Sequence, residues 1–305
     1  MRVIFMGTPD FAVQILKKLV EDQWNVVAVY TQPDKPKNRG MKLISTPVKE
    51  YALTKNIPVF QPISCKDEVV IEEIRAMQPD VIVVAAYGML LPQALLDIPK
   101  VAIINVHSSI LPQYRGAAPI NWAILNGDKM TGVSIQYMVQ ELDAGDILLA
   151  KETAIDPEED AAQLYERLAI MGGEAASEAL TRLRDGTATR TPQAFGPEHQ
   201  YASKLSREMS PIDFSKPAQT IINQIRGLIP WPCATTEVAG IRWKVFRAHL
   251  GGETDKAPGT ILSADKTGIS IACGDGKSIV ITQLQADGGK RMAAADYLRG
   301  HPISL

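Results

Sequence analysis

Cysteine is scarce in this sequence, and the spacing of the few that occur argues against two kinds of site. The 305 residues include three cysteines, Cys65, Cys233 and Cys273, which lie far apart and are odd in number. Such a set favours reduced thiols in a reducing compartment over a disulfide framework. The four histidines show no ligand spacing either, so the sequence predicts no metal site.

Long hydrophobic runs are also absent. No apolar stretch approaches the roughly 18 residues of a membrane-spanning helix, so we expect no membrane segment. Residues 2–6 are too short an apolar stretch for a signal peptide and indicate a first strand instead. Hydrophobic residues make up 46% and charged residues 22% of the chain, as in globular proteins. We expect a cytoplasmic monomer, and the length suggests two domains.

The whole chain has no large excess of either charge, but its two parts carry net charges of opposite sign. The formal net charge is −2. Residues 207–305 contain 12 Lys and Arg against 9 Asp and Glu, a balance of +3, which leaves −5 for the rest of the chain. The sign favours anion binding by the C-terminal part, although an asymmetry of this size is also common on ordinary solvated surfaces.

Strand-like and helix-like patterns alternate through about residue 140, which predicts an open, mostly parallel α/β sheet. Strands are predicted at 2–6, 25–30, 58–60, 80–86, 101–106, 132–138 and 146–153. Helices are predicted at 10–21, 46–55, 66–77, 92–96, 118–126 and 157–184, the last interrupted at Gly172-Gly173. Ligands of such sheets bind beyond the carboxyl ends of the strands.

The hydrophobic pattern of the sequence changes in its last third. A helical pattern at 216–228 is followed, from residue 233 on, by short alternating runs separated by Gly, Asp and Lys. These runs predict a small β-barrel of about five strands. We therefore predict a catalytic domain over residues 1–186, a linker over 187–206 and a β-barrel domain over 207–305.

Polar side chains follow two of the predicted strands. Asn105 and His107 lie two residues apart at the end of an apolar run, so an extended chain directs both to one face. Asp143 follows the strand predicted at 132–138. An amide donor, an imidazole and a carboxylate on neighbouring strand ends predict an acyl-transfer site. A lone histidine at a strand end is often only a capped or surface imidazole, which makes the two partners essential to this prediction.

Acyl transfer to an amine chiefly requires stabilisation of a developing oxyanion. A fixed donor such as an amide or a protonated imidazole contributes roughly 3–4 kcal/mol, and a nearby carboxylate favours the charged imidazole. An α-amine, with a pKa of about 7.7–8.0, is already partly neutral in the cell. No covalent nucleophile is needed, and Ser108 and Ser109 lack the surroundings of a nucleophile elbow.

The run from residue 105 to 120, together with residues 142–147, resembles the 10-formyltetrahydrofolate-dependent formyltransferases. Further matching segments are residues 6–12, 31–36, 39–40 and 86–88. The resemblance implies a Rossmann-like N-terminal fold, an OB-like C-terminal barrel and catalytic roles for Asn105, His107 and Asp143. It also implies a pocket for the folate co-substrate formed by Tyr87, Gly88, Met89, Leu90, Ser108, Leu111, Pro112 and Val139.

The same resemblance implies the acceptor. Members with a basic loop after the second strand and a C-terminal barrel formylate the α-amine of methionyl-initiator tRNA for translation initiation. Arg39 matches the arginine that contacts the tRNA acceptor end, and Lys37 and Lys42 lie in the same polar segment, 31–45. We expect this loop to bind phosphates, although basic surface loops are ordinarily just solvated.

Two other functions stay open at this point. One is formylation of a small amine, such as a glycinamide ribonucleotide or an amino sugar, which needs neither the basic loop nor the barrel. The other is an RNA-binding module whose α/β half has lost its activity. Asn105, His107 and Asp143 are all present, which argues against such a module.

Overall fold

The computed structural model describes residues 1–37, 42–238 and 240–303 and forms two compact units. The first comprises residues 1–116, 131–154 and 165–202, and the second comprises residues 117–130, 155–164 and 203–305. Most of the segment predicted as a linker therefore belongs to the first unit. The domain limits given above stay a prediction. None of the helices in the described ranges combines the length and the apolar character that crossing a membrane requires.

The strands are β1 (Arg2–Gly7), β2 (Asn25–Tyr30), β3 (Lys35–Lys37), β4 (Lys42–Ile44), β5 (Val59–Phe60), β6 (Val81–Ala85), β7 (Ala102–His107), β8 (Arg115–Gly116), β9 (Met130–Tyr137), β10 (Ile147–Ala154), β11 (Tyr201–Ala202), β12 (Ala234–Val238), β13 (Ile241–Glu253), β14 (Ile261–Asp265), β15 (Gly268–Ala272), β16 (Lys277–Ala286) and β17 (Met292–Ala293). The helices are α1 (Asp10–Glu21), α2 (Pro47–Thr54), α3 (Glu68–Ala76), α4 (Gln93–Leu96), α5 (Pro119–Leu125), α6 (Ala161–Arg184), α7 (Ala218–Gly227) and α8 (Ala294–Gly300), with a 3-10 turn at Arg207–Met209.

The first unit is built on a seven-stranded sheet with the order β10-β9-β7-β6-β1-β2-β5. The pairs β1–β2, β1–β6, β2–β5 and β6–β7 are parallel, and β9 runs antiparallel to β7. Every residue of β6 is buried, as expected of a parallel strand that is covered on both faces. The predicted open, mostly parallel α/β sheet is confirmed.

Local capping chemistry explains where the first helices begin. α2 follows Thr46, whose hydroxyl accepts a hydrogen bond from the backbone N–H of Lys49, and Pro47 occupies its first turn. α3 begins after Asp67, whose carboxylate accepts from the N–H of Val69. These starts lie within two residues of the predicted ones because capping signals are local.

Helix α6 differs from its prediction. It runs without a break from Ala161 to Arg184, although the sequence indicates an interruption at Gly172-Gly173. A Cβ on Gly173 would lie 2.9 Å from Cβ of Lys18 in α1, and one on Gly172 would lie 3.1 Å from a methyl group of Val106 in β7. The two glycines permit close packing of α6 rather than a break in it.

The basic segment after β2 also differs from its prediction. Where the sequence indicates an irregular loop over 31–45, β3 and β4 form an antiparallel hairpin in which Lys35 pairs with Ile44 and Lys37 with Lys42. The predicted tRNA-contacting Arg39 lies outside the described residues. The hairpin was missed because its strands have three residues each, too few for a detectable period.

The second unit contains an antiparallel sheet with the order β12-β13-β16-β15-β14, and β17 pairs with β16. The prediction of about five short strands here is confirmed, while closure into an OB-like barrel stays a prediction. α7 and α8 pack on this sheet around a buried core in which Trp243 meets Tyr297 edge-to-face at 5.4 Å. Helix α8 was not predicted from the sequence.

Candidate active site

Strand β7 places the first two candidate residues. Asn105 lies opposite Gln136 of β9, and His107 lies opposite Ser134. Directly opposed residues of an antiparallel pair project to the same face, so all four side chains share one face. Because β7 lies between β6 and β9, the two candidates are at the carboxyl end of a central strand, where ligands of open α/β sheets bind.

His107 is buried, with 6% of its surface exposed, and both ring nitrogens have defined surroundings. Nε2 lies 2.9 Å from the carbonyl oxygen of Tyr114. A carbonyl oxygen only accepts, so Nε2 carries a proton and donates it. Nδ1 lies 3.7 Å from Oδ1 of Asp143. Nδ1 is therefore the nitrogen left for proton exchange, and it lies on the side of the carboxylate.

Asp143 reaches this position from the turn between β9 and β10. Its backbone is left-handed, with φ of 51°. Its Oδ2 accepts a hydrogen bond from the N–H of Gly116 at 3.0 Å, and its Oδ1 accepts one from Nε2 of Gln136 at 2.9 Å. Both oxygens thus act as acceptors, as in an ionised carboxylate. The sequence places Asp143 after a strand but does not indicate these two donors.

The turn that carries Asp143 requires a glycine. A Cβ added to Gly145 would lie 1.7 Å from the carbonyl oxygen of Tyr137, so no other residue fits there without moving backbone. The close approach brings the chain back against the end of β9. After Gly145 the chain passes through Asp146 into β10, and Asp143 stays close to His107 at the end of the sheet.

The loop after β7 supplies the backbone groups of the site. Ser134 accepts from the N–H of Leu111 at 3.0 Å and donates to the carbonyl of Ser109 at 2.8 Å. Ser109, which is buried, donates in turn to the carbonyl of Gln113 at 2.6 Å. These hydrogen bonds hold the loop so that it presents the Tyr114 carbonyl and the Gly116 N–H. They also give the Ser109 hydroxyl a structural partner.

Asn105 differs from its neighbours in the hydrogen bonding of its carboxamide. The side chain is half-buried. Within the described part of the chain, no residue forms a hydrogen bond with it, whereas Gln136 directly opposite bonds to Asp143. A half-buried amide without a protein partner is available to a substrate.

A small cavity opens beside these residues. It has a volume of about 90 Å³ and is lined by residues 89–91 and 136–145. Among the predicted folate contacts it includes Met89, Leu90 and Val139, and it also includes Asp143. Leu90 and Val139 are exposed, at 74% and 44%, so the cavity has an open apolar edge.

Five other predicted folate contacts lie outside the lining of this cavity: Tyr87, Gly88, Ser108, Leu111 and Pro112. The Tyr87 ring is buried in the core, its hydroxyl lies 3.4 Å from Sγ of Cys65, and burial raises the pKa of Tyr87 well above its usual range. Its carbonyl accepts from the hydroxyl of Thr8 and the amide of Gln32. Tyr87 instead belongs to the buried cluster that also contains Leu91, one of the residues that line the cavity.

The segment that precedes the hairpin is anchored by a polar network. Nζ of Lys49 donates to Asp34 at 2.6 Å and to Gln61 at 2.7 Å, and Gln61 donates to the other Asp34 oxygen at 2.7 Å. The hydrogen bond from Lys49 lowers the pKa of Asp34. In the strand pair that follows, the backbones of Lys37 and Lys42 are in register.

The arrangement can stabilise an oxyanion and move a proton. It offers a free carboxamide, an imidazole with one nitrogen fixed, and a carboxylate held by two N–H donors. In the described part of the chain no serine bonds to either ring nitrogen of His107, since Nε2 faces the Tyr114 carbonyl and Nδ1 faces Asp143. Across the described ranges, no group of three or more His, Cys, Asp or Glu side chains could hold a metal ion.

Comparison with known protein families gives matches over both halves of the chain. Residues 1–180 match the formyl transferase family, and residues 204–302 match the formyl transferase C-terminal domain. The methionyl-tRNA formyltransferase of Trichlorobacter lovleyi is 50% identical over 305 residues, which cover 100% of this chain and 95% of the relative. The methionyl-tRNA formyltransferase of Acetivibrio thermocellus is 45% identical over 99% of this chain and 97% of its own length.

Solved structures with a similar fold come from more distant proteins. HypX from Aquifex aeolicus in complex with tetrahydrofolic acid matches with a TM-score of 0.66 at 20% identity, over 98% of this chain. This chain spans about half of that HypX chain, 47%. The N-formyltransferase from Helicobacter canadensis, in complex with folinic acid and dTDP-3-aminofucose, matches with a TM-score of 0.70 at 19% identity, over 92% of this chain and 98% of that one. At these identities the likeness concerns the fold alone.

Proposed function

The chain belongs to the formyl transferase family, and from this membership and the site geometry we propose that it transfers the formyl group of 10-formyltetrahydrofolate to the α-amine of methionyl-initiator tRNA. The observation that carries the chemistry is the free carboxamide of Asn105 next to the His107–Asp143 pair. The acceptor is supported by the relatives named methionyl-tRNA formyltransferase, which are 42–50% identical over nearly the whole chain.

In the proposed reaction the neutral α-amine of the aminoacyl end attacks the formyl carbon. A new C–N bond forms and the carbonyl electron pair moves to oxygen, which gives a tetrahedral oxyanion. The carboxamide N–H of Asn105 donates to this oxygen. A fixed donor of this kind contributes roughly 3–4 kcal/mol to transition-state stabilisation because it requires no reorganisation. The Asn105 carboxamide can donate to the substrate without breaking a hydrogen bond to a described residue of the protein.

His107 in its protonated form is the second donor, through Nδ1. Its Nε2–H stays on the Tyr114 carbonyl throughout, so the ring cannot turn away. The distance of 3.7 Å between Nδ1 and Asp143 leaves the Nδ1 proton free to shift between carboxylate and substrate. The bond from the formyl carbon to N10 of the folate then breaks, and N10 leaves with a proton taken from the attacking amine by way of this pair or a water molecule.

The folate co-substrate is proposed to use the cavity lined by residues 89–91 and 136–145. The exposed side chains of Leu90 and Val139 offer an apolar edge for a flat heteroaromatic ring. Asp143 is shared between this lining and the His107 pair, so a formyl group attached to folate would enter next to the catalytic groups. Tyr87, Gly88, Ser108, Leu111 and Pro112 are proposed to shape the surrounding walls.

The tRNA is proposed to contact the segment 31–45 through Lys37, Arg39 and Lys42, because three cations in a short segment suit a phosphate backbone. The C-terminal part, with its balance of +3, is proposed to add to this attraction. An enzyme that prepares initiator tRNA works where translation begins, so we propose a cytoplasmic location. We further propose that the enzyme acts as a monomer.

The proposal is tested with purified protein, 10-formyltetrahydrofolate and one of three acceptors: methionyl-initiator tRNA, glycinamide ribonucleotide or an amino sugar nucleotide. We expect formyl transfer to the tRNA alone, measured as formylmethionine released after deacylation. Transfer only to one of the small amines would show that this amine, and not methionyl-initiator tRNA, is the acceptor. Binding of tRNA with no transfer to any of the three would overturn the assignment as an enzyme.

A further inference from the structure

A glutamine in the segment predicted as a linker reaches into the site. Nε2 of Gln193 lies 3.0 Å from the carbonyl oxygen of Asp143, 2.6 Å from that of Gly145 and 3.3 Å from Oε1 of Gln136. Its Oε1 accepts a hydrogen bond from Nε of Arg115 at 3.0 Å. One side chain thus contacts two backbone carbonyls of the turn that carries Asp143 and also the Gln136 side chain, which binds the Asp143 carboxylate.

The orientation of the Gln193 amide follows from its neighbours. Two backbone carbonyls can only accept, and the Arg115 guanidinium can only donate, so the NH2 group must face the turn and the oxygen must face Arg115. An NH2 group has two hydrogens, which we assign to the two shorter distances, to Gly145 and Asp143. The 3.3 Å contact with Gln136 is then a weaker, shared one.

The turn needs such a clamp because its backbone is unusual. Asp143 has a left-handed backbone, and the Gly145 position tolerates no Cβ. A non-glycine residue in the left-handed region is strained, and it persists only when surrounding contacts hold it. The donors of Gln193 bind the carbonyls on either side of Ala144, which fixes the direction in which the Asp143 side chain leaves the chain.

Arg115 anchors the glutamine from the other side. Arg115 is buried, with 9% of its surface exposed, and its guanidinium lies 4.7 Å from the centre of the Phe195 ring, two residues after Gln193. It also approaches the carboxylate of Glu141 at 3.6 Å. Arg115 precedes Gly116, whose N–H binds Asp143. The loop after β7, the turn after β9 and the segment 191–195 are thereby joined around one carboxylate.

We propose that Gln193 is a positioning residue, which holds the turn so that Asp143 stays next to Nδ1 of His107 during formyl transfer. The inference rests on the proposed function. It also gives the predicted linker a part in the active site, since Thr191 exchanges two backbone hydrogen bonds with Ile147 just before the clamp. Gln193 contacts none of the reacting atoms and acts through Asp143.

Two substitutions separate the donors of Gln193 from its link to Arg115. Gln193→Glu keeps the size and an acceptor for Arg115, but it sets an acceptor-only carboxylate against two carbonyls. Gln193→Leu removes both functions. We expect kcat to fall about 10- to 100-fold in each, because a displacement near 1 Å at a reacting group has effects of this order. KM for methionyl-tRNA should stay within about three-fold of wild type.

A double-mutant cycle with Asp143→Asn provides the readout that a purely structural role would not move. If Gln193 acts through Asp143, the double variant Gln193→Leu with Asp143→Asn should be no slower than Asp143→Asn alone. Multiplicative losses of kcat in the cycle, or a wild-type kcat in both Gln193 variants, would overturn the proposal. Circular dichroism and thermal unfolding identify any variant that fails to fold, and Gln193→Glu then replaces Gln193→Leu in the cycle.

Glu198→Gln is the matched control. Glu198 follows Gln193 on the same segment, its side chain is 67% exposed, and it pairs with His199 at 3.2 Å, so kcat of this variant should equal that of wild type. Failure of the proposed function is a separate result, because it is seen in the wild-type protein. If the wild type formylated another amine, the same cycle would be measured with that amine.

Discussion

At the scale of single residues, the site combines side chains that are tied to the protein with one that is not. His107 and Asp143 each have partners on both polar ends, among them the Tyr114 carbonyl and the Gly116 N–H. Asn105 has none within the described ranges. Tied groups keep the geometry and the free one meets the substrate, so the consequences of their removal should differ.

Replacement of Asn105 by alanine should therefore impair catalysis with little effect on stability. We expect kcat for formyl transfer to fall about 10²- to 10³-fold, the usual result of removing one oxyanion donor. The free energy of unfolding should change by less than about 1 kcal/mol, because no protein hydrogen bond is lost. Stopped or quenched single-turnover assays and urea unfolding measure the two quantities.

Asn121→Ala is the crossed control for that experiment. The amide of Asn121 donates to the carbonyl of Gly227 at 2.8 Å within the second unit. Its loss should cost about 1 kcal/mol of stability and leave kcat unchanged. An Asn105→Ala enzyme with kcat within a few-fold of wild type would remove the carboxamide from the mechanism.

The three cysteines allow a second test at this scale. All are free and buried, and burial raises the pKa of each thiol, that of Cys273 to about 11. The thiolate is the reactive form, so at pH 8 the native protein should react with Ellman's reagent far more slowly than free cysteine. In guanidinium chloride three thiols should react at once. Rapid native labelling of all three would contradict the described burial.

At the scale of secondary structure elements, helix α6 supports the strand that carries the site. Its glycine pair packs against α1 and against Val106, the residue between Asn105 and His107. Glycine inside a helix lowers its stability by about 1 kcal/mol relative to alanine. We therefore expect the close packing at these two positions to offset that loss. The two glycines differ in what surrounds them.

Gly173→Ala should be more destabilising than Gly172→Ala. A Cβ at 173 would meet Cβ of Lys18 at 2.9 Å and the backbone oxygen of Gln14 at 3.2 Å, and neither can move without shifting α1. A Cβ at 172 would meet methyl groups of Val106 and Ile15 at 3.1 and 3.5 Å, which can adjust. We expect a loss of about 1–3 kcal/mol at 173 and near neutrality at 172, measured by urea unfolding. The reverse order would refute this account of the helix.

At the scale of the whole molecule, the distribution of charge matters more than its sum. The net charge of −2 would oppose binding of a polyanion if it were spread evenly. The balance of +3 over residues 207–305, together with the basic hairpin segment, instead concentrates positive charge in parts of the chain. Binding of tRNA should accordingly depend on salt, because each neutralised phosphate releases counterions.

The affinity for methionyl-tRNA should fall with salt along a log–log slope of roughly −2 or steeper, if Lys37, Arg39 and Lys42 each contact one phosphate. Arg39→Gln should make the slope shallower by about 1. Lys17→Gln, a change at a half-exposed lysine of α1 that pairs with Glu21, should leave it unaltered. Filter binding between 50 and 200 mM salt measures these slopes. A slope unaffected by Arg39→Gln would remove that residue from the interface.

Much of the architecture could be predicted because its signals are local. The apolar run of β7 and the two-residue spacing of Asn105 and His107 determine a strand with both side chains on one face. Thr46 with Pro47, and Asp67, mark helix starts through contacts two or three residues away. The family resemblance added the catalytic assignment, which periodicity alone does not supply. The predictions of an irregular loop over 31–45 and of an interruption in α6 were wrong, because no local signal marks the short hairpin or the close packing of the two glycines.

The sequence by itself determined the alternation of strands and helices in the N-terminal sheet, the face of β7 that carries the candidates and the residues that mark the family. Only the tertiary structure decided that the Asp143 carboxylate lies 3.7 Å from His107, that Gln193 binds the turn from 50 residues away, and that Tyr87 belongs to the core rather than the cavity lining. The physical reason is distance along the chain. Periodicity and capping act over a few residues, whereas these contacts exist only once strands and segments far apart in sequence pack together.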